Sequence, residues 1–150
     1  MPGLYYDETE IGQRIEHRLR RTVTEADNVM FCSMTHNPQP LHLDAEYAKN
    51  TEFGQRVVNS LFTMSLAVGI SVEDTTNGTI VANLGFGDTR FTHPVFHGDT
   101  LRFVTEIIDR RESKSRPDAG IITMRHEGFN QNDKLVCSIT RTTMLQKQPA

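Results

Sequence analysis

The chain has 150 residues, with 16 Lys and Arg against 19 Asp and Glu, so its formal net charge is -3 with neutral histidines. This length allows one domain to bury its own core, and we predict that residues 1–150 form a single domain. The slightly acidic balance argues against a nucleic-acid-binding surface, and the two distant cysteines, Cys32 and Cys137, argue against a disulfide framework or a zinc site.

Residues 1–12 are polar and acidic, and we interpret them as an N-terminal extension of the domain. They have neither the basic start nor the apolar run of a signal peptide. No apolar stretch of the chain reaches the roughly 18 residues that a membrane span needs. The sequence therefore predicts a cytoplasmic protein without membrane contact.

Residues 13–23 predict the first strand. Charged and apolar side chains alternate in part over this stretch, with Ile15, Leu19 and Val23 among the apolar ones. Alternation with a period of two is typical of a strand that faces the core on one side and solvent on the other. We therefore expect these three side chains to face the core.

A short helix is predicted directly after this strand. Thr24 and Asp27 have the spacing of a capping pair, in which a hydroxyl and a carboxylate accept the unpaired N–H groups of the first helical turn. The helix is expected to end near Met34 and to direct residues 29–31 inward.

The stretch from Thr35 to Asp44 is interpreted as a stiff, extended loop. Pro38 and Pro40 each lack a backbone N–H and restrict the preceding residue, so we do not expect a helix through them. Asp44 is placed to cap a second short helix over residues 45–50. The two short helices would form a helical insertion before the central helix.

The longest apolar stretch, residues 57–72, predicts that central helix. Apolar side chains recur at helical spacing from Leu61 to Val72, and others fill the remaining faces. A helix that is apolar nearly all round is expected to be buried. Asn59 or Ser60 would cap its first turn.

After Gly78 the hydrophobic period changes to two, which indicates strands. These segments are rich in Val, Ile, Thr and Phe, and turn-forming residues separate them. They cover residues 79–90, 100–111, 120–130 and 134–146. One strand, a helical insertion, a buried helix and a run of antiparallel strands are typical of the α+β class.

His42 is the main candidate for chemistry. An imidazole both accepts and donates a proton near neutral pH, and this one follows two prolines in a loop that a rigid scaffold can hold. The neighbouring amides of Asn37 and Gln39 can hold a water molecule or a carbonyl group. These residues also have a purely structural interpretation, as a surface or helix-capping histidine and as turn-forming amides.

Two further features suit an anionic ligand. The unpaired N–H groups at the start of the central helix, near Asn59 and Ser60, can stabilise a developing oxyanion, although every helix has such a terminus. A basic cluster can bind phosphates through charge-assisted hydrogen bonds, unless it is a solvated loop paired with the acids among it. This cluster consists of Arg110, Arg111, Lys114 and Arg116.

Residues 31–65 resemble the MaoC-like branch of the hot-dog fold, the (R)-specific enoyl-CoA hydratases and dehydratases. The family signature runs approximately Gly-Asp-x-Asn-Pro-x-His-x-Asp, followed by a helix, a Phe-Gly pair and a His-Gly pair that opens the central helix. The corresponding residues here are 36–44, Phe53-Gly54 and Asn59-Ser60. Residues 94–101 match the family's turn into its next strand, and the likeness covers most of residues 13–146.

The resemblance implies one hot-dog domain, in which an antiparallel sheet wraps around the long central helix and chains pair as a homodimer or a dimer of dimers. It also implies that an acyl-CoA thioester enters a tunnel with its acyl end near the loop. In the family, an Asp and a His hold and activate the water, and a backbone N–H at the helix start polarises the thioester carbonyl. Coenzyme A is then part of the substrate, and neither a further cofactor nor a metal is expected.

The chain departs from the family signature at three positions. Asn37 stands for the Asp, Gln39 for the second Asn, and Asn59-Ser60 for His-Gly. Asn37 cannot act as a base but can orient water, which leaves His42 as the titrating member of the pair. Gln39, Asn59 and Ser60 are then expected to bind the substrate and its oxyanion.

The resemblance favours a hydro-lyase that adds water to a short-chain enoyl-CoA or removes it. The amide-rich loop is similar to that of members acting on branched or dicarboxylic acyl groups, such as mesaconyl- or itaconyl-CoA, since extra donors suit a second carboxylate. Two alternatives stay open. One is a hot-dog acyl-CoA thioesterase, and the other is a non-catalytic acyl-CoA-binding subunit, which the missing acid would suit.

Overall fold

The computed structural model describes residues 3–150, which form a five-stranded antiparallel sheet packed on one long helix. In chain order the elements are a 3-10 turn Tyr6–Glu8, β1 Arg14–Thr22, α1 Glu25–Met34, α2 Pro40–Leu43, α3 Ala45–Lys49, α4 Ser60–Thr75, β2 Ile80–Phe91, β3 Thr100–Glu112, β4 Ala119–Phe129 and β5 Leu135–Gln146. The strand order is β1-β3-β4-β5-β2, so β1 and β2 form the edges. The predicted α+β hot-dog arrangement is confirmed.

The sheet closes over one face of α4 because alternate residues of its central strands are apolar. Leu101, Phe103 and Ile139 are almost fully buried and pack in one cluster with Ala67 and Ile70 of α4. Burial of large apolar side chains is the main force that holds a helix against a sheet. The cavity described below lies at the amino end of this helix.

The expectation that α4 is buried on all sides is wrong for the single chain. Leu61 is 55% exposed, and Ser65 and Gly69 also face outward. The sheet covers only one side of the helix, so these outward-facing residues stay exposed in the single chain. This uncovered side adjoins the edge strand β2, where Phe86 lines a groove together with Leu61.

The predicted helix caps are confirmed. The Oγ1 atom of Thr24 accepts the N–H of Asp27 at 3.2 Å, and Asp44 accepts the N–H of Tyr47 at 2.9 Å. Asn59 caps α4, which therefore begins at Ser60 rather than at residue 57.

The loop prediction for residues 35–44 is wrong at its carboxyl end. Pro40 opens the single helical turn α2 instead of preventing it, and the N–H of Asp44 bonds to the Pro40 carbonyl at 2.8 Å. Proline is tolerated at the first helical position, where its missing N–H would have no partner anyway and its φ angle already suits the helix. This turn decides where His42 lies.

The side chains that face the core differ from the sequence prediction in β1 and in α1. In β1 the buried residue is His17, whereas Leu19 is 52% exposed, because the pairing with β3 shifts between Glu16 and Arg20. The bulge adds two residues on β1, so the inward face is not reversed: Leu19 lies within the bulge and turns outward, whereas Val23 beyond it is buried as predicted. In α1 the buried residues are Asn28 and Cys32, and Met30 is 60% exposed.

The described part of the N-terminal extension packs on the domain. The N–H groups of Gly3 and Leu4 donate to the carbonyls of Asn77 and Thr75, and the Tyr6 ring lies buried directly against Gly120. Among residues 3–150, no helix is both long and apolar enough to cross a bilayer.

Candidate functional site

A cavity of about 330 Å³ lies between the helical insertion, the start of α4 and the segment that follows β2. We call it the His42 cavity. Most of its walls are apolar, with contributions from Leu41, Phe53, Val58, Phe91 and Val136 among others. The residues with polar side chains that line it are His42, Ser60, Thr63, Thr92 and His93. A mostly apolar, concave site with a few polar groups is the usual form of a small-molecule binding site.

The His42 imidazole is held by one short contact. Its Nδ1 atom lies 2.6 Å from the carbonyl oxygen of Val57, and the ring is half-buried. A carbonyl only accepts, so Nδ1 carries the proton and donates it. In the neutral ring Nε2 then bears a lone pair, and within residues 3–150 no protein group bonds to it.

The acceptor carbonyl is itself held in place. Val57 pairs with Phe96 in an isolated antiparallel bridge, and the N–H of Val58 donates to the Val95 carbonyl at 2.8 Å. These contacts tie the entry of α4 to the segment before β3. The orientation of His42 therefore depends on chain segments that are far from it in sequence.

Ser60, the first residue of α4, lines the cavity and has a backbone N–H that no other described residue accepts. The side chain of Asn59 accepts the N–H of Leu61, and its carbonyl accepts those of Phe62 and Thr63. The N–H of Ser60 is left without an acceptor among the described residues, as expected at the first turn of a helix. Ser60 lines the cavity, whereas Asn59 is a buried cap, so Ser60 is the part of the predicted pair that can meet a ligand.

Asn37 and Gln39 lie outside the His42 cavity. The Oδ1 atom of Asn37 accepts the N–H of Gln39 at 3.0 Å, which is the turn-forming interpretation of this amide. Asn37 borders a separate depression with His36, and Gln39 is exposed. The helical turn that begins at Pro40 directs His42 inward and leaves the residues before it on the outside. The structure thus does not bring the predicted pair of His42 and Asn37 together.

The basic cluster lies at the far end of β3 and in the loop after it. Arg110 donates to the Tyr6 carbonyl and covers the Tyr6 ring, and Arg116 pairs with Asp118 at 2.7 Å. Strand geometry separates Arg110 from Thr100, near the cavity, by roughly 33 Å. Within one chain the cluster is therefore remote from His42.

Asn28 belongs to the site although sequence reasoning missed it. Its side chain is fully buried beneath the cavity wall and contacts the backbone of His42, Val57 and Asn59 as well as the ring of His97. No signal in the sequence singled it out, because the burial of Asn28 is visible only in the structure. The pattern alone names none of its partners.

A row of hydrogen-bonded polar side chains lies away from the cavity, under the sheet. Hydrogen bonds of 2.7 Å each link Asp74 to His17, His17 to Thr105, and Thr105 to His126. Burial lowers the pKa of His126 to about 3, and nearby Arg141 contributes. Within residues 3–150, no group of three or more His, Cys, Asp or Glu side chains is arranged to hold a metal ion.

The comparisons with known proteins agree on one family. The sequence profile described as "MaoC like domain" matches residues 7–128. The chain is 29% identical over 147 residues to a beta-methylmalyl-CoA dehydratase of Chloroflexus aurantiacus, covering 98% of this chain and 41% of that protein. It is 30% identical over 146 residues to a mesaconyl-CoA hydratase of Cereibacter sphaeroides, covering 97% of this chain and 42% of that protein. The chain thus spans about two fifths of the length of these relatives.

A solved structure matches over its whole length. A monoamine oxidase regulatory protein of Archaeoglobus fulgidus superposes with a TM-score of 0.88 at 31% identity, with 99% of this chain and 98% of that chain covered. The fold is therefore also found as a chain of similar size.

Proposed function

The chain belongs to the MaoC-like domain family, and on that premise we propose that it catalyses the reversible hydration and dehydration of an enoyl-CoA thioester. One observation carries the proposal. The Nδ1–H of His42 is engaged by the Val57 carbonyl, which leaves the Nε2 lone pair of a ring that lines a largely apolar cavity beside the free N–H of Ser60. A base and an oxyanion donor in one dry site are what water addition to an enoyl thioester requires.

In the hydration direction, Nε2 of His42 accepts a proton from water while the water oxygen bonds to the β-carbon. The electron pair of the double bond shifts toward the thioester carbonyl, whose developing negative charge the Ser60 N–H and the positive end of α4 stabilise. The imidazolium then returns its proton to the α-carbon. One water is added, His42 is restored, and dehydration is the reverse. A single imidazole carries both transfers because Asn37 lies outside the cavity.

We further propose a short-chain substrate with a branched or dicarboxylic acyl group, of the mesaconyl- or itaconyl-CoA type. The small cavity volume favours a short acyl group over a long one. Two relatives carry names that refer to branched dicarboxylic acyl-CoA esters. The hydroxyls of Thr63 and Thr92 and the ring of His93 supply polar groups around the space where such an acyl group would lie.

The uncovered face of α4 and the edge strand β2 support a proposed homodimer. Leu84 and Phe86 on β2 are 47% and 45% exposed, and Leu61 on α4 is 55% exposed. Contiguous exposed apolar surface beside an unpaired strand edge is unfavourable in a lone chain. A second copy related by a two-fold axis brings the same edge in antiparallel orientation and covers the same patch.

The proposed activity is tested by incubating the protein with crotonyl-, mesaconyl- and itaconyl-CoA and following the absorbance of the conjugated thioester. A hydratase removes that absorbance without releasing free CoA. Release of free CoA would instead indicate the thioesterase. Tight binding of the esters without turnover of any of them would indicate the acyl-CoA-binding subunit and overturn the proposal.

A further inference from the structure

Asn28 connects two of the chain segments that shape the His42 cavity, the helical insertion and the start of α4. It projects from α1, is fully buried, and does not itself line the cavity. Its Nδ2 atom lies 3.2 Å from the Val57 carbonyl oxygen and 3.3 Å from that of His42. Its Oδ1 atom accepts the N–H of Asn59, the cap of α4, at 2.9 Å. One amide side chain thus joins the insertion to the helix start.

These contacts determine which way the amide points. The N–H of Asn59 can only donate, so the atom facing it must be the oxygen of Asn28. The amino group, with two hydrogens, then faces the two carbonyls, which can only accept, and Nε2 of His97, so one hydrogen is shared between two of these acceptors. The Val57 carbonyl consequently receives two donors, the amino group of Asn28 and the Nδ1–H of His42.

The same amino group determines the protonation state of His97. Nε2 of His97 lies 2.9 Å from Nδ2 of Asn28. Because the amino group has only hydrogens to offer, Nε2 must accept and must carry a lone pair. His97 is therefore neutral in this arrangement, with its proton on Nδ1.

We infer that Asn28 is a positioning residue for the His42 imidazole, and that the neutral form of His97 keeps Asn28 in place. This inference rests on the proposed hydratase function. It adds that the protonation state of His97 affects how the hydration rate depends on pH. Asn28 acts on the reaction through Val57, because the carbonyl that it holds is the one that orients the His42 ring. His97 acts one step further away, through Asn28.

The surroundings of His97 favour its neutral form. Burial lowers the pKa of His97, and the nearby Arg56 guanidinium lowers it further, while Glu25 acts in the opposite direction. Arg56 and Glu25 form an ion pair of 2.9 Å, and Lys49 borders the same small depression as His97 and Arg56. Both cations on this side of the cavity have an acidic partner, Glu25 for Arg56 and Glu46 for Lys49.

Protonation of His97 would break the arrangement. Nε2 would then carry a hydrogen and face the amino group of Asn28, so that two donors would oppose each other. Asn28 cannot relieve this by turning its amide over, because its oxygen is engaged by the Asn59 N–H. Either the His97 ring or the whole Asn28 side chain must move, and the hold on the Val57 carbonyl weakens. The loss of hydration activity at low pH should therefore involve a second proton, taken up by His97, in addition to the one that occupies the lone pair of the catalytic base.

The first experiment compares the pH dependence of kcat for hydration in the wild type and in His97→Gln. The glutamine oxygen can accept from Asn28 but does not titrate. We expect the acidic limb of log kcat against pH to approach a slope of two in the wild type and a slope of one in the variant. Equal slopes in the two proteins would overturn the role of His97.

The second experiment uses Asn28→Asp, which keeps the size of the side chain and the oxygen that accepts from Asn59 but removes the amino donor. We expect kcat to fall by about 10- to 100-fold, the usual cost of a misplaced catalytic group. KM should stay within about threefold, since no cavity-lining group is altered. Unchanged kcat in a folded Asn28→Asp protein would overturn the positioning role.

The matched control is Asn130→Asp. Asn130 is also buried, at 4% exposure, but its side chain uses only Oδ1, which accepts the N–H groups of Asn132 and Lys134 in the β4–β5 turn. We expect its kcat to equal that of the wild type. If Asn28→Asp fails to fold by circular dichroism, the slope comparison with His97→Gln decides the inference. Wild-type protein that hydrates no enoyl-CoA would overturn the proposed function and this inference together, whereas an active wild type with unaltered variants would overturn the inference alone.

Discussion

The Val57 carbonyl oxygen lies 2.6 Å from Nδ1 of His42, fifteen residues earlier in the chain. This contact assigns the proton of the neutral imidazole to Nδ1 and leaves the lone pair on Nε2. It also means that the orientation of the His42 ring is determined by the backbone at the entry of α4. The predictions that follow separate this ring from the other residues of the loop, the basic cluster, the buried histidines and the uncovered helix face.

Replacement of His42 by Ala should lower the turnover of a hydratable enoyl-CoA by about 10²- to 10⁴-fold, the usual contribution of a positioned acid–base group. Steady-state kinetics on folded protein provides the measurement. His36→Ala is the control, because His36 is exposed and lies outside the His42 cavity, and it should retain wild-type turnover. Wild-type activity in His42→Ala would contradict the enzyme assignment.

Replacement of Asn37 by Ala should have a much smaller effect on turnover than His42→Ala. Asn37 accepts the N–H of Gln39 outside the cavity, so its loss removes a turn contact worth about 1 kcal/mol of stability. We expect turnover within about threefold of the wild type and a slightly lower melting temperature. A loss comparable to that of His42→Ala would restore Asn37 to the water-holding role that the sequence suggested.

The combined substitutions Lys114→Glu and Arg116→Glu test the basic cluster as the site for the CoA phosphates. The cluster lies roughly 33 Å along β3 from the cavity end, and Arg116 is already paired with Asp118. If the substrate is bound within one chain, KM for CoA esters should stay within about twofold of the wild type. A several-fold rise in KM would support phosphate binding at the cluster, reached from the cavity of a partner subunit.

Folding stability should decrease on acidification because of His126. The folded protein lowers the pKa of this ring from 6.5 to about 3, mainly through burial, so between these values the unfolded chain binds the additional proton. Stability is therefore retained above about pH 6.5 and is lost as the pH falls toward 3.

Urea unfolding at pH 7.0 and pH 4.5 measures this loss. Between pH 7.0 and pH 4.5 the unfolding free energy of each protein should fall. This fall should be smaller by roughly 2 kcal/mol in His126→Gln than in the wild type, because glutamine does not titrate. An equal difference in both proteins would show that His126 does not carry the acid sensitivity.

Replacement of Phe86 by Glu should break the proposed homodimer, because it places a charge in the apolar groove between β2 and α4. Light scattering coupled to size-exclusion chromatography should show a dimer for the wild type and a monomer for the variant. The control is Leu19→Glu, since Leu19 is similarly exposed at 52% but lies on the opposite edge strand. A monomeric wild type would contradict the dimer, and a tetramer would indicate a dimer of dimers.

Local patterns in the sequence were sufficient for the strands, for α1, α3 and α4, and for the helix caps, but not for the helical turn α2. Thr24 with Asp27, Asp44 and Asn59 cap the helices that they were predicted to cap, because a cap involves residues only two or three positions apart. His42 was identified from its chemistry and its place in a motif, and the structure places it in the cavity.

Only the tertiary structure decided which residues surround His42. Asn28 bonds to the Val57 carbonyl, which lies 29 residues later in the chain. The same holds away from the cavity, where His17 bonds to Thr105, 88 residues later. Asn37 was grouped with His42 because it stands at the Asp position of the family signature, but its side chain accepts the N–H of Gln39 and lines a different depression. Periodicity and motif spacing describe neighbours along the chain, whereas a buried hydrogen bond depends on two segments that meet only when the core packs. This is why the sequence alone determined most of the elements and the candidate imidazole, and why packing determined the groups that orient it.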